Sequence, residues 1–121
     1  MHSDIWTYRT DADLGVDVGR GVDLTGFSVE ALDGGIGKID EATYDVGSSY
    51  IVVDTGPWIF GKKVMLPAGV IDRIDLEDET VYVSRSKDEI KAAPELDETV
   101  TVEDTRYRDE LGTYYDTVRG R

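Results

Sequence analysis

Hydrophobic and polar positions alternate in short runs over residues 23–96, and glycine, proline and acidic residues punctuate the runs. A period of two marks strands with one buried face, and the punctuation marks their turns. "GFSVEAL" puts Phe27, Val29 and Ala31 on one face. "DGG" at 33–35 follows as a hairpin turn, because glycine supplies the positive φ of a tight connection. "IGKIDEATYDV" has Ile39 as its apolar centre. "YIVVDTG" breaks the alternation: it is apolar on both faces, which predicts a central strand covered on both sides. "KVMLPA" alternates Val64 and Leu66, and Pro67, with no N–H for a ladder, marks a strand end or a sheet edge. "GVIDRIDLEDE" offers Val70 or Ile71, then Ile74 and Leu76, and "TVYVSR" offers Val81 and Val83, with the "EDE" of 77–79 as an exposed turn between them. In "SKDEIKAAPEL" the pattern becomes helical: Ser86 is the N-cap, Glu89 three residues on completes a capping box, and Pro94 stops the helix.

About six short strands in so short a stretch are too few for a sandwich and fit a strongly bent sheet that closes on itself. The expected fold is therefore mostly β, a small closed barrel of about six strands with one short C-terminal helix and flanking tails. The chain divides into an N-terminal tail (1–22), the barrel domain (23–96) and a C-terminal tail (97–121). One barrel face fills the interior, and the other needs the helix, a tail or a second copy to cover it. The tails carry aromatic residues. Ile5, Trp6 and Tyr8 stand in the first, and Tyr107, Leu111, Tyr114 and Tyr115 recur in the second at roughly helical spacing, which fits either a helix or a loosely ordered arm.

Charge and composition narrow the chemistry. The 26 acidic residues outnumber the 13 Lys and Arg, for a net charge of −13. Such a field repels phosphate backbones and anionic membrane surfaces, so no nucleic-acid partner is expected. Apolar runs reach only four residues, against about 20 for a bilayer span, and the start lacks the pattern of a signal peptide. No membrane insertion and a cytoplasmic location are the expectations. The lack of cysteine excludes a disulfide framework, a thiol nucleophile and a thiolate metal site. His2, the one histidine, lies in the leader and gives no catalytic triad. "GGIGK" lacks the spacing and the hydroxyl of a phosphate loop and reads as a plain hairpin. Asp72, Asp75, Glu77, Asp78 and Glu79 crowd one hairpin with oxygen ligands suited to calcium or magnesium, but without the D-x-D-x-D-G pattern; a solvated turn is expected, and no metal. Asp54 is expected to bond backbone amides or to meet Lys62 or Lys63. No catalytic residue, cofactor or enzymatic activity is expected.

The order "DLTGFSVEALDGGIGKIDEATYDVGSSYIVVDTG", then "KKVMLPAGVIDRIDLEDETVYVSRSKDEIKAAPEL", resembles the PRC-barrel family, named for the cytoplasmic domain of the photosynthetic reaction centre H subunit. The resemblance rests on the G-x-x-V opening strand, "DGGIGKI", "YIVVDTG", the strand reaching "LPA", the acidic hairpin and "SKDEIKAAP", and it covers residues 23–96. It implies a barrel of about six strands that serves as a docking module in a larger assembly. Members include that reaction-centre subunit and the C-terminal domain of a ribosome-maturation factor, which binds a small-subunit ribosomal protein. The chain resembles a stand-alone bacterial or archaeal member with tails.

Pro57, Trp58, Ile59 and Phe60 sit where a connection between two strands should be polar. Trp58, Ile59 and Phe60 either fold back as a lid on the barrel mouth or form an exposed contact surface. Together with Trp6, Tyr8, Tyr107, Tyr114 and Tyr115 they exceed what a barrel this small can enclose, so they are the candidate protein-interface residues. The expected function is a non-enzymatic interaction and assembly module that self-associates, as a homodimer or larger oligomer, and docks a protein partner. The alternative is a small-ligand or divalent-metal binder using the acidic hairpin or the barrel mouth.

Overall fold

The computed structural model describes residues 5–6, 8, 23–43, 49–56, 63–94 and 105–118, with side chains over 106–115 in the last of these. Six strands form one sheet: β1 (Ser28–Ala31), β2 (Gly34–Ala42), β3 (Tyr50–Asp54), β4 (Lys63–Pro67), β5 (Ile71–Asp75) and β6 (Thr80–Val83). Their order is β4-β3-β2-β1-β6-β5, antiparallel throughout except for the parallel β1–β6 pair. A 3-10 turn, Ala68–Val70, joins β4 to β5; helices α1 (Lys87–Lys91) and α2 (Thr105–Val118) follow. The fold is mostly β, as the alternation predicts. No helix among the described residues is long and apolar enough to cross a membrane.

The two edge strands are consecutive in the chain. A three-residue turn reaches about 10 Å, so it draws the end of β4 to the start of β5 and curls the sheet. The expected closure is nevertheless incomplete: among the described residues no ladder joins β4 to β5. The backbone gives the reason. Pro67 has no N–H, the Ala68 amide donates to the Ser49 carbonyl (3.0 Å), and the Gly69 amide donates to the Ile5 carbonyl (2.7 Å). Donors that would begin a β4–β5 ladder are committed elsewhere.

Alternation sets the core. Phe27, just before β1, Val29 and Ala31 within it, and Val81 and Val83 of β6 are buried, as expected. From β5, Ile71 and Ile74 are buried, while Leu76 is exposed in the turn. The first hairpin turn falls at Leu32 and Asp33, a residue earlier than the sequence suggests: Ala31 pairs with Gly34 and Glu30 with Gly35, so the glycines belong to β2. Gly37 occupies the left-handed side (φ 150°), and a Cβ there would stand 2.1 Å from the Asp54 carbonyl oxygen. "GGIGK" is thus a strand segment whose glycine admits the close approach of another backbone. The α1 capping box forms as expected: the Glu89 amide donates to Ser86 Oγ (3.1 Å) and the Ser86 amide to Glu89 Oε1 (2.9 Å).

In β3, residues 50–53 are all buried. Ile51 and Val53 share the inner face with Ile39, which pairs with Val53. Tyr50 and Val52 face outward, as does Met65, the β4 partner of Val52. The chain's own ends cover this outer face. Leu111 and Tyr115 of α2 are fully buried, and Tyr107 is 5% exposed, a stripe at i, i+4, i+8. The C-terminal pattern is therefore a helix. The Arg108 guanidinium lies 4.7 Å from the Trp6 ring centroid and 5.4 Å from that of Tyr50. The Ser49 amide donates to the Trp6 carbonyl (2.7 Å), and the Tyr8 hydroxyl to the Thr43 carbonyl (2.7 Å). Gly112 lets Trp6 approach α2: a Cβ there would sit 2.8 Å from the indole Nε1.

Candidate functional site

The interface candidates divide by location. Trp58, Ile59 and Phe60 lie outside the described residues, as do His2 and Lys62. Tyr107 and Tyr115 are not available as contact surface, because they belong to the chain's own core. Trp6 and Tyr8 are half-buried and packed against that core. Tyr114 is half-buried too, but it borders a groove.

The groove is an open depression of about 450 Å³ lined by Asp109, Glu110, Thr113 and Tyr114. These positions follow i, i+1, i+4, i+5 and so share one side of α2. Helical periodicity generates the surface: Leu111 and Tyr115 turn inward, leaving Asp109, Glu110 and Thr113 exposed. Tyr114 is held from two sides. Its hydroxyl donates to the Glu89 carbonyl in α1, and its ring packs edge-on to Tyr115 with centroids 5.0 Å apart and planes at 82°. Burial, reinforced by the Glu89 charge, raises the Tyr114 pKa, so the phenol stays protonated and keeps its donor role. A fixed aromatic ring thus stands beside two exposed carboxylates on a helix anchored to the core.

Neither a protein-family model nor a curated protein sequence matches this chain. The groove's chemistry has to follow from its own side chains. Carboxylates next to an aromatic face attract cations with apolar stems, namely lysine and arginine.

The other candidates have structural partners. Asp54 Oδ1 accepts from the Gly56 amide (3.0 Å), one of the two roles expected of it; Asp54 also stands opposite Lys63 in the β3–β4 ladder, but Lys63 Nζ bonds Asp40 Oδ2 (2.8 Å). In the acidic hairpin, Asp75 Oδ1 accepts from the Asp78 amide (3.1 Å) and Thr80 Oγ1 donates to the Asp78 carbonyl (3.1 Å), so these groups shape their own turn. Among the described residues no group of three or more His, Cys, Asp or Glu is placed to hold a metal ion.

Sequence reasoning passes over Arg85, which is 4% exposed. Its Nη1 donates to Ser84 Oγ (2.6 Å) and the Ser84 carbonyl (3.0 Å), and its Nη2 to the Tyr115 carbonyl (3.0 Å). That carbonyl belongs to the last turn of α2, where backbone acceptors lack helical donors and the helix dipole is negative. The buried guanidinium therefore caps the helix that carries the groove. The one sequence signal is a cation two residues after a core strand, and its partner is 30 residues away.

Proposed function

We propose that the chain is a non-enzymatic assembly module of the PRC-barrel type, which self-associates and docks a protein partner. It receives a lysine- or arginine-bearing segment of that partner in the groove beside α2. The observation that carries this reading is the anchored Tyr114 ring flanked by Asp109 and Glu110, on a chain whose net charge of −13 favours basic partners. Tyrosine is prominent among residues that anchor protein interfaces, because it presents a large rigid face at small entropic cost. The motif order over residues 23–96 and the short turn that brings β4 to β5 support kinship with a closed PRC barrel.

Affinity capture from native lysate tests the docking reading with three baits: wild type, Asp109→Lys/Glu110→Lys, and Trp58→Ala/Phe60→Ala. The expected result is a protein retained by wild type and by the aromatic variant but lost from the charge-reversed one. A partner lost only with Trp58 and Phe60 moves docking to the apolar tip and overturns the groove. A partner retained by all three baits overturns both.

A further inference from the structure

The half of the sheet made by β1, β6 and β5 has an outer face that neither α1 nor α2 fully covers. Strand pairing lays that face out in two rows. One row runs Gly35, Glu30, Tyr82, Arg73, and the other Lys38, Ser28, Thr80, Asp75. Every one of these residues is exposed or half-buried. Tyr82 stands near the centre with the Arg73 guanidinium 4.3 Å from its ring centroid. Arg73 is 54% exposed and makes only a long contact, 3.9 Å, with Asp75. Leu32, the most exposed large apolar residue among those described (64%), lies in the turn that ends β1, beside the first row.

Two properties single the face out. It is close to electrically balanced, because Lys38 and Arg73 offset Glu30 and Asp75 and Asp72, exposed at the β5 bulge beside Arg73, leaves it a single negative charge, whereas the chain carries −13. A second copy of so acidic a chain is repelled from most of the surface and least from here. The charges are also self-complementary. Glu30 and Arg73 lie on the strands either side of Tyr82, each about 4.8 Å away in the pairing direction. A two-fold axis running along the strands over Tyr82 sets Glu30 of each copy opposite Arg73 of the other, with the two Tyr82 rings at the centre.

We propose that this face is the self-association surface of the chain, joining two copies across Tyr82 through reciprocal Glu30–Arg73 pairs. The proposal rests on the reading of the chain as a self-associating module and assigns that association a place distinct from the α2 groove. The face is small, so the dimer is weak and concentration-dependent.

Sedimentation equilibrium of the full chain at about 0.15 M salt, from about 1 μM to about 1 mM, tests it. The wild-type mass should rise towards twice the chain mass. Arg73→Glu and Glu30→Arg should each weaken association at least about tenfold, because each places like charges face to face. The double swap, which re-creates opposite pairs, should restore it to within about threefold of wild type. Circular dichroism confirms that each variant is folded, and restoration in the double variant separates pairing from damage to the fold. A wild type monomeric throughout overturns the proposal together with the self-association reading. A wild-type dimer indifferent to both single swaps overturns this face and leaves self-association standing. Single swaps that weaken a dimer the double swap does not restore overturn the reciprocal pairing.

Discussion

The β3–β4 half of the sheet and the β1–β6–β5 half are built from similar strands but finished differently. In the first, Tyr50, Val52 and Met65 turn apolar groups outward, and the N-terminal segment and α2 cover them. In the second, the outward positions are Ser28, Glu30, Thr80, Tyr82, Arg73 and Asp75, which tolerate water. The difference lies in the outward-facing residues alone, since both halves bury their inner positions. A strand that is apolar on both faces demands a cover from elsewhere in the chain, whereas a strand with strict alternation leaves a surface open. Here the covered half accounts for the burial of Tyr107 and Tyr115, and the open half leaves a polar face to solvent.

Removing a tyrosine from each half gives the sharpest contrast. Tyr115→Ala deletes a fully buried ring and should cost about 4 kcal/mol, whereas Tyr82→Ala, on the open face, should cost about 1 kcal/mol or less in the monomer. Chemical denaturation of dilute protein measures both. Equal costs would erase the distinction between the halves.

Alkaline pH probes the same ring without mutation. Burial pushes the Tyr115 phenol far above its usual value of 10, with smaller contributions from its neighbours Tyr114 and Tyr107. A raised pKa means that the folded state holds the proton more tightly than the unfolded chain. The stabilising contribution is therefore complete below pH 10 and is lost as pH climbs towards the folded-state value, by about 1.4 kcal/mol per pH unit for one group. Stability measured from pH 9 to 12 should change little from this group up to about pH 10 and then fall with a slope that approaches this value, and Tyr115→Phe should remove that share of it. An unchanged slope in the Phe variant would mean that the ring is wetter than its packing implies.

Gly112→Ala tests the cover by the sign of its effect. In a free helix the substitution stabilises by up to about 1 kcal/mol. Against Trp6 the new methyl meets the indole Nε1 at 2.8 Å, so overpacking of about 1–3 kcal/mol should dominate and the variant should be less stable. In a Trp6→Ala background the obstacle is gone and the sign should reverse. Stabilisation in both backgrounds would show that the N-terminal segment does not rest on α2.

What could be read in advance follows the range of the forces involved. Local chemistry was legible: the alternation in β1 and β6, the strand-terminating role of Pro67 at an edge strand, the Ser86–Glu89 capping box and the two-faced burial of β3. The helical spacing of Tyr107, Leu111 and Tyr115 was visible too, although the sequence left a loose arm open. Long-range chemistry was not legible. Nothing near Gly37, Gly69 or Gly112 announces that Asp54, Ile5 or Trp6 will press against it. Arg85 reads as a strand-end cation until the α2 carbonyl arrives. The groove was hidden for the same reason: Tyr114 looked like one more aromatic in need of cover, and only the direction of α2 turned it towards solvent beside Asp109 and Glu110.

The smallest expected effect separates local pairing from the field of the whole chain. Lys63 on the covered half is half exposed and bonds Asp40 at 2.8 Å; that hydrogen bond, and then the Asp40 charge, raise the Lys63 pKa. An exposed pair of this kind contributes at most about 0.5–1 kcal/mol. If the pair alone mattered, Lys63→Ala and Asp40→Asn would cost the same. The net charge of −13 makes them unequal: losing Lys63 takes it to −14, and losing the Asp40 charge takes it to −12. Self-repulsion should add to the cost of the first and offset that of the second. Lys63→Ala should therefore destabilise by about 0.5 kcal/mol, while Asp40→Asn should be close to neutral. At about 1 M salt, with a screening length near 3 Å, the two variants should converge. Denaturation curves at low and high salt measure this, and equal losses at low salt would assign the effect to the pair and leave the acidic field without a measurable part in folding.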